Sequence, residues 1–131
     1  MAESIPTSSL LQDCLGPLVM SFRRSSSAYR NYLNHGKTFR WSLVIWRANN
    51  DLVSLLIQTG WMLPDTHKDE AIRIVTHLDL WASLWERHKC DMQPTLDDIF
   101  VFENSHSFPR DAEEKIIELF TLLSSDCDEE C

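Results

Sequence analysis

Thr38 to Gln58 reads TFRWSLVIWRANNDLVSLLIQ, and the order of its apolar residues decides the fold class. Trp41, Val44, Ile45, Ala48, Leu52, Leu55 and Leu56 recur at spacings of three and four, the period at which side chains return to one face of an α-helix. Trp46, Val53 and Ile57 form a second apolar stripe beside the first. The spacing therefore predicts a central helix, opened by Thr38 and ended at Gly60, that touches neighbours on more than one side. Arg47, Asn49, Asn50 and Asp51 interrupt its middle, where lipid would make them expensive, so the stretch is not a membrane span. Such groups are costly to bury unless hydrogen bonds satisfy them, so they face water or enter a specific network. Arg47, Asn49 and Asn50, with Trp46 and Trp61, are candidate interface residues.

The flanking sequence supplies partners of the same kind. Upstream, Ser8 or Ser9 can cap a helix over Leu10, Leu11, Cys14 and Leu15; Gly16-Pro17 bends or restarts it, and Val19, Phe22, Tyr29 and Leu33 carry it to Gly36, a suitable left-handed end. Downstream, Asp65 or Thr66 can cap a third helix to about Lys89, with Ala71, Ile74, Val75, Leu78, Trp81, Ala82 and Trp85 as its buried face. A fourth begins near Ser107 or Phe108 at Pro109 and turns Ile116, Ile117, Phe120 and Leu123 inward. Between the last two, residues 91–107 are an irregular strap in which Ile99-Phe100-Val101-Phe102 is β-prone. The expectation is an all-α, single-domain bundle of four principal helices over residues 1–125, followed by an acidic tail at 126–131. Leu52, Leu55, Ile74, Leu78, Trp81, Ile117 and Phe120 are its expected core.

Length and composition agree with this reading. The 131 residues hold 44% apolar and 24% charged side chains, enough for one core and unlike a disordered chain. Three glycines are too few for a sandwich or barrel with many tight turns. The net charge of −8 excludes non-specific nucleic-acid binding over the whole surface, which rests on Lys and Arg neutralising phosphates. The charge is unevenly spread: residues 1–47 carry six basic and two acidic side chains, leaving −12 for the remainder. The two halves can pair with each other, within one molecule or in a homo-oligomer. The start, MAESIPTSSLLQDC, has no basic, apolar secretory leader, and the four cysteines form no CxxC pair, so reduced thiols in a cytoplasmic protein are expected.

Several constellations carry residue types suited to chemistry. Arg30-Asn31-Tyr32-Leu33-Asn34-His35-Gly36 resembles the RNxxxH motif of the HEPN superfamily of helical ribonucleases, including the glycine after the histidine. That resemblance implies that Arg30 stabilises the phosphate, Asn31 orients the site and His35 moves the proton of the 2′-hydroxyl. The bland reading is a helix end where His35 meets the dipole and Gly36 caps. His88-x-Cys90 with Cys127-x₃-Cys131 has the ligand types of a zinc site but not the usual spacing, and no metal or cofactor is expected. His77 and His88 are about 16 Å apart along their helix and cannot share an ion. Across residues 41–123, the succession Arg47-Ala48-Asn49-Asn50, His77-Leu78-Asp79-Leu80-Trp81, Phe100-Val101-Phe102 and Phe108-Pro109-Arg110-Asp111-Ala112-Glu113 resembles a pattern in small bacterial proteins with no assigned function. It implies a bacterial or phage origin. The leading expectation is a non-enzymatic interaction or regulatory module binding another protein or itself; the alternative is a HEPN-like, metal-independent ribonuclease using Arg30 and His35, with RNA as its partner.

Overall fold

Helix α1 absorbs its proline by changing pitch rather than by breaking. In the computed structural model, which describes residues 5–104 and 106–130 with side chains through residue 125, α1 comprises an α segment Thr7–Leu10, a π turn Leu11–Leu15 and an α segment Gly16–Asn34 in one continuous rod. Pro17 has no N–H and its ring crowds the carbonyl four residues back. The π turn relieves this by sending the Gly16 N–H to the oxygen of Leu11, five residues earlier. A β-carbon on Gly16 would stand 2.9 Å from that same backbone oxygen, so the wide turn closes only on glycine. Gly16→Ala is expected to cost about 1–3 kcal/mol, the range for forcing a carbon into an occupied site. An unchanged urea midpoint would show that the turn tolerates a side chain.

The expected serine cap of α1 is corrected. Pro6 occupies the cap position and Ser8 and Ser9 lie inside the first turn, with no side-chain cap bond. At the other end the helix stops at Asn34, and Gly36 (φ 78°) and Lys37 (φ 55°) are both left-handed, which reverses the chain. Helix α2, Phe39–Thr59, then runs back along α1. A 3₁₀ turn, Gly60–Met62, leads through Leu63-Pro64 into α3, Asp65–Met92, and α4 spans Arg110–Glu130. The backbone of residues 126–130, read from sequence as a tail, continues α4; Cys131 lies outside the described residues.

The core has two large parts and a small one, in which Ala28 of α1 packs with Ile45 and Ala48 of α2. In one large part, Cys14, Leu15, Leu18 and Phe22 of α1 pack with Leu52 and Leu56 of α2, Ile74 and Leu78 of α3, and Ala112 and Ile116 of α4. Of the expected core, Leu52, Ile74 and Leu78 are buried, whereas Leu55, Trp81, Ile117 and Phe120 are half-buried at its margin. The shift on α4 arises because Ala112 and Ile116, one turn apart, take the innermost line. The other large part is aromatic: Phe39, Trp85 and Phe100 are buried together, with Trp46, Trp81 and Phe102 against them.

The strap between α3 and α4 caps α2. No side chain caps that helix; instead the Phe39 and Arg40 N–H groups donate to the carbonyls of Asp98 (2.8 Å) and Leu96 (2.9 Å). Phe100 N–H donates to Lys37 O, making an antiparallel bridge of Thr38 with Ile99, and the Tyr32 hydroxyl donates to Phe100 O. Two of the first-turn donors of α2 are thus satisfied from a distant part of the chain.

Charge fastens α4 to α3. Glu70 accepts from Arg73 at 2.7 Å and from Lys115 at 3.1 Å, and Arg73 donates to both oxygens of Asp111. The Lys115 ammonium first, and Arg73 after it, hold the Glu70 carboxyl below its ordinary range, and Arg73 does the same for Asp111. Both carboxyls are therefore more acidic folded than unfolded, and what they contribute is present above the unfolded value of about 4 and lost as pH falls through the folded ones. The midpoint of thermal unfolding is expected to drop as pH falls below about 4.5, and less steeply for Glu70→Gln. Parallel acid limbs for the two proteins would remove Glu70 from this role.

Candidate functional site

A 3₁₀ turn with three residues per turn puts Gly60 and Leu63 on one side, where Leu63 N–H meets Gly60 O at 3.1 Å and both residues are buried. Trp61, between them, is turned outward and is 64% exposed. Ile57, one helical turn earlier on α2, is 66% exposed, and Ile72 of α3 is 61% exposed. The three surround an open groove of about 280 Å³ floored by Leu56, Gly60, Ala71 and Val75. On its other flank Trp61 borders a second groove of about 470 Å³ with Ile5, Leu10, Met62 and Leu63 in its wall. Lys68 reaches both grooves, and its ammonium lies 3.0 Å from its own neighbour Asp65.

The structure separates the five interface residues expected from sequence. Trp61 and Arg47 are exposed, Asn50 is half-buried, and Asn49 is buried. Trp46 is half-buried and stacks on Trp85 with ring centres 5.1 Å apart. Its Nε1–H is enclosed and meets no acceptor among the described residues. Trp61 and Trp46 do not share a surface: one lies past the end of α2, the other within the aromatic core.

Arg30, Asn31 and His35 sit at the opposite end of α2 from the grooves, about 30 Å away along a helix of 21 residues. Arg30 and His35 are both exposed. Four residues lie between them, and the helix that carries Arg30 ends at Asn34, so His35 has left the helical conformation. The imidazole of His35 stacks on Trp41 at 4.4 Å, and its Nδ1 lies 2.7 Å from the carbonyl of Asn31. The Asn31 amide is engaged too, donating to Ser27 O. The helix-end geometry thus occupies one imidazole nitrogen and the face of the ring.

The remaining polar candidates have structural surroundings. His77 meets the edge of Phe108 at 5.4 Å, and burial pushes its pKa down, so its neutral form is favoured. His88 packs against Phe100 and Phe102, with Cys90 exposed beyond it. The side chain of Cys127, and all of Cys131, lie outside the described residues; among the described residues no three metal-ligating side chains converge. Cys14 is buried, its thiol pushed up by desolvation and directed at Thr59 O, which makes it a packing residue and not a nucleophile.

Trp61 is singled out by the sequence, but its neighbours at the groove are not. Ile57 belongs to the second apolar stripe of α2, and Ile72 fits no stripe of α3. That misfit was the available signal: an apolar residue off the buried face of an amphipathic helix has either a partner or none. No model of a known family matches the chain, and no curated protein and no solved structure matches it either.

Proposed function

We propose that this protein is a non-enzymatic interaction module that pairs with a second copy of itself through the Ile57–Trp61–Ile72 face, as a regulatory accessory of a bacterial or phage system. The exposure of these three large side chains around one groove carries the reading. Each chain bears a net charge of −8, so two copies repel except where they meet on neutral surface. This face supplies it, because the charges that line its grooves, Lys68 and Asp65, are paired with each other. A twofold axis makes such a face self-complementary, the projecting Trp61 of each copy entering the groove beside the other's. Tryptophan is the residue most often found at the energetic centre of an interface. The bacterial or phage setting follows from the sequence pattern over residues 41–123.

Light scattering behind size exclusion tests this directly. The wild-type chain is expected to elute as a dimer, and Trp61→Glu as a monomer with an unchanged helical circular-dichroism spectrum. The dimer dissociation constant should rise about 30-fold or more, since central aromatic residues contribute at least about 2 kcal/mol. A wild-type chain that stays monomeric at every concentration, or a Trp61→Glu dimer, would overturn the proposal.

A further inference from the structure

We propose that the outer edge of residues 97–103 is a second binding site, one that takes an extended peptide with basic residues flanking two β-branched ones as an added antiparallel strand. The bridge between Thr38 and Ile99 uses the carbonyl of Asp98 and the N–H of Phe100, and Phe100 O is taken by Tyr32. Successive peptide groups of an extended chain point to opposite sides. The N–H and C=O of Ile99 therefore point away from α2, and neither they nor those of Val101 have a partner among the described residues. From Ile99 onward the side chains alternate in step: Ile99, Val101 and Glu103 are exposed, whereas Phe100 is buried and Phe102 half-buried, and Asp97 is exposed in the turn before them, where Asp98 N–H donates to Thr95 O. Ile99 is 67% and Val101 52% exposed, an apolar pair on an unpaired edge, which is what strand addition uses.

Charge selects the occupant. Asp97 is 89% exposed and touches Arg40 only at 3.5 Å, and Glu103 has no cationic partner among the described residues. A second copy pairing about Phe100 would bring Asp97 of each chain, in the turn that precedes the strand, toward Glu103 of the other, and like charges brought together are destabilising. A partner strand with Lys or Arg at those two places, and β-branched residues facing Ile99 and Val101, reverses the sign at both ends and gains two cross-strand apolar pairs. This site lies apart from the Trp61 face and does not depend on self-association.

The probe is the end-blocked peptide Lys-Ser-Val-Thr-Ile-Ser-Lys, titrated into the ¹⁵N-labelled full chain and, separately, into its Trp61→Glu variant. Amide shifts are expected at residues 97–103 in both proteins. N-methylation of the peptide at Val and Ile, which removes both donors to the edge, should weaken binding about tenfold, and so should exchanging both Lys for Glu. The Asp97→Lys/Glu103→Lys variant should prefer the Glu peptide. No shift at millimolar peptide, shifts centred on Ile57, Trp61 and Ile72, or equal binding of the N-methylated peptide would each overturn the proposal.

Discussion

Trp85→Ala is expected to remove about 3–5 kcal/mol from the unfolding free energy, the range for truncating a buried large aromatic side chain. Trp85 is 1% exposed and holds together the aromatic half of the core, with Trp46 5.1 Å, Phe100 5.6 Å and Phe39 5.8 Å from its ring centre. Its indole N–H also donates to Ser42 Oγ at 2.6 Å in a buried pair linking α3 to α2. Truncation therefore opens a cavity and strands a hydroxyl, and the second effect alone costs about 1–3 kcal/mol. Trp85→Phe separates the two, because it keeps most of the ring volume and loses only the hydrogen bond. Urea unfolding followed by far-ultraviolet circular dichroism measures both. A loss below about 1 kcal/mol for Trp85→Ala would mean that the aromatic cluster contributes little and the aliphatic half carries the fold.

Phe100→Ala is expected to have an effect of similar size but confined to one place. Phe100 is 1% exposed and touches Phe39, Trp85, His88 and Phe102. It belongs to the strap and not to a helix, so its loss frees the strap more than it loosens the bundle. The amides of Phe39 and Arg40, whose acceptors are strap carbonyls, should lose about a hundredfold in hydrogen-exchange protection, the equivalent of about 3 kcal/mol of local opening. Leu52 and Ile74 should keep theirs. Unchanged exchange at Phe39 and Arg40 would show that the strap is held by its backbone bonds and by Tyr32, without the ring.

The number and rough span of the helices were legible in the sequence because each is amphipathic with the same period. The α2 stripe from Trp41 to Leu56 is the clearest example. What was not legible depends on contacts between distant residues. Thr38 looks like a cap and occupies the cap position, but the bonds come from Asp98 and Leu96, which no local pattern can announce. Gly16-Pro17 reads as a break because proline ordinarily is one; the π turn that retains it depends on a glycine meeting the Leu11 carbonyl. Ile116 and Ile117 are both apolar neighbours on α4, and only docking against α1 and α3 decides that Ile116 goes inside. The candidate surface was half visible: Trp61 stands out by residue type, while Ile57 and Ile72 become a surface only when α2 and α3 are placed side by side. Arg30 and His35 belong to one short sequence motif, and the helix that carries Arg30 ends at Asn34, before His35.

The cap on α2 also bears on the order in which the chain can become native. The Tyr32 hydroxyl and the Phe100 carbonyl are 68 residues apart, and the strap carbonyls that cap Phe39 and Arg40 come from the same late segment. As the chain emerges from the ribosome, α1 and α2 can meet as a helical hairpin through contacts that are close in sequence. The first turn of α2 has to wait, frayed, until α3 is complete and residues 95–100 have been translated. Loop closure over such a span is slow compared with the growth of a helix, so the aromatic end of the bundle is expected to lock last, long after the aliphatic end has begun to condense.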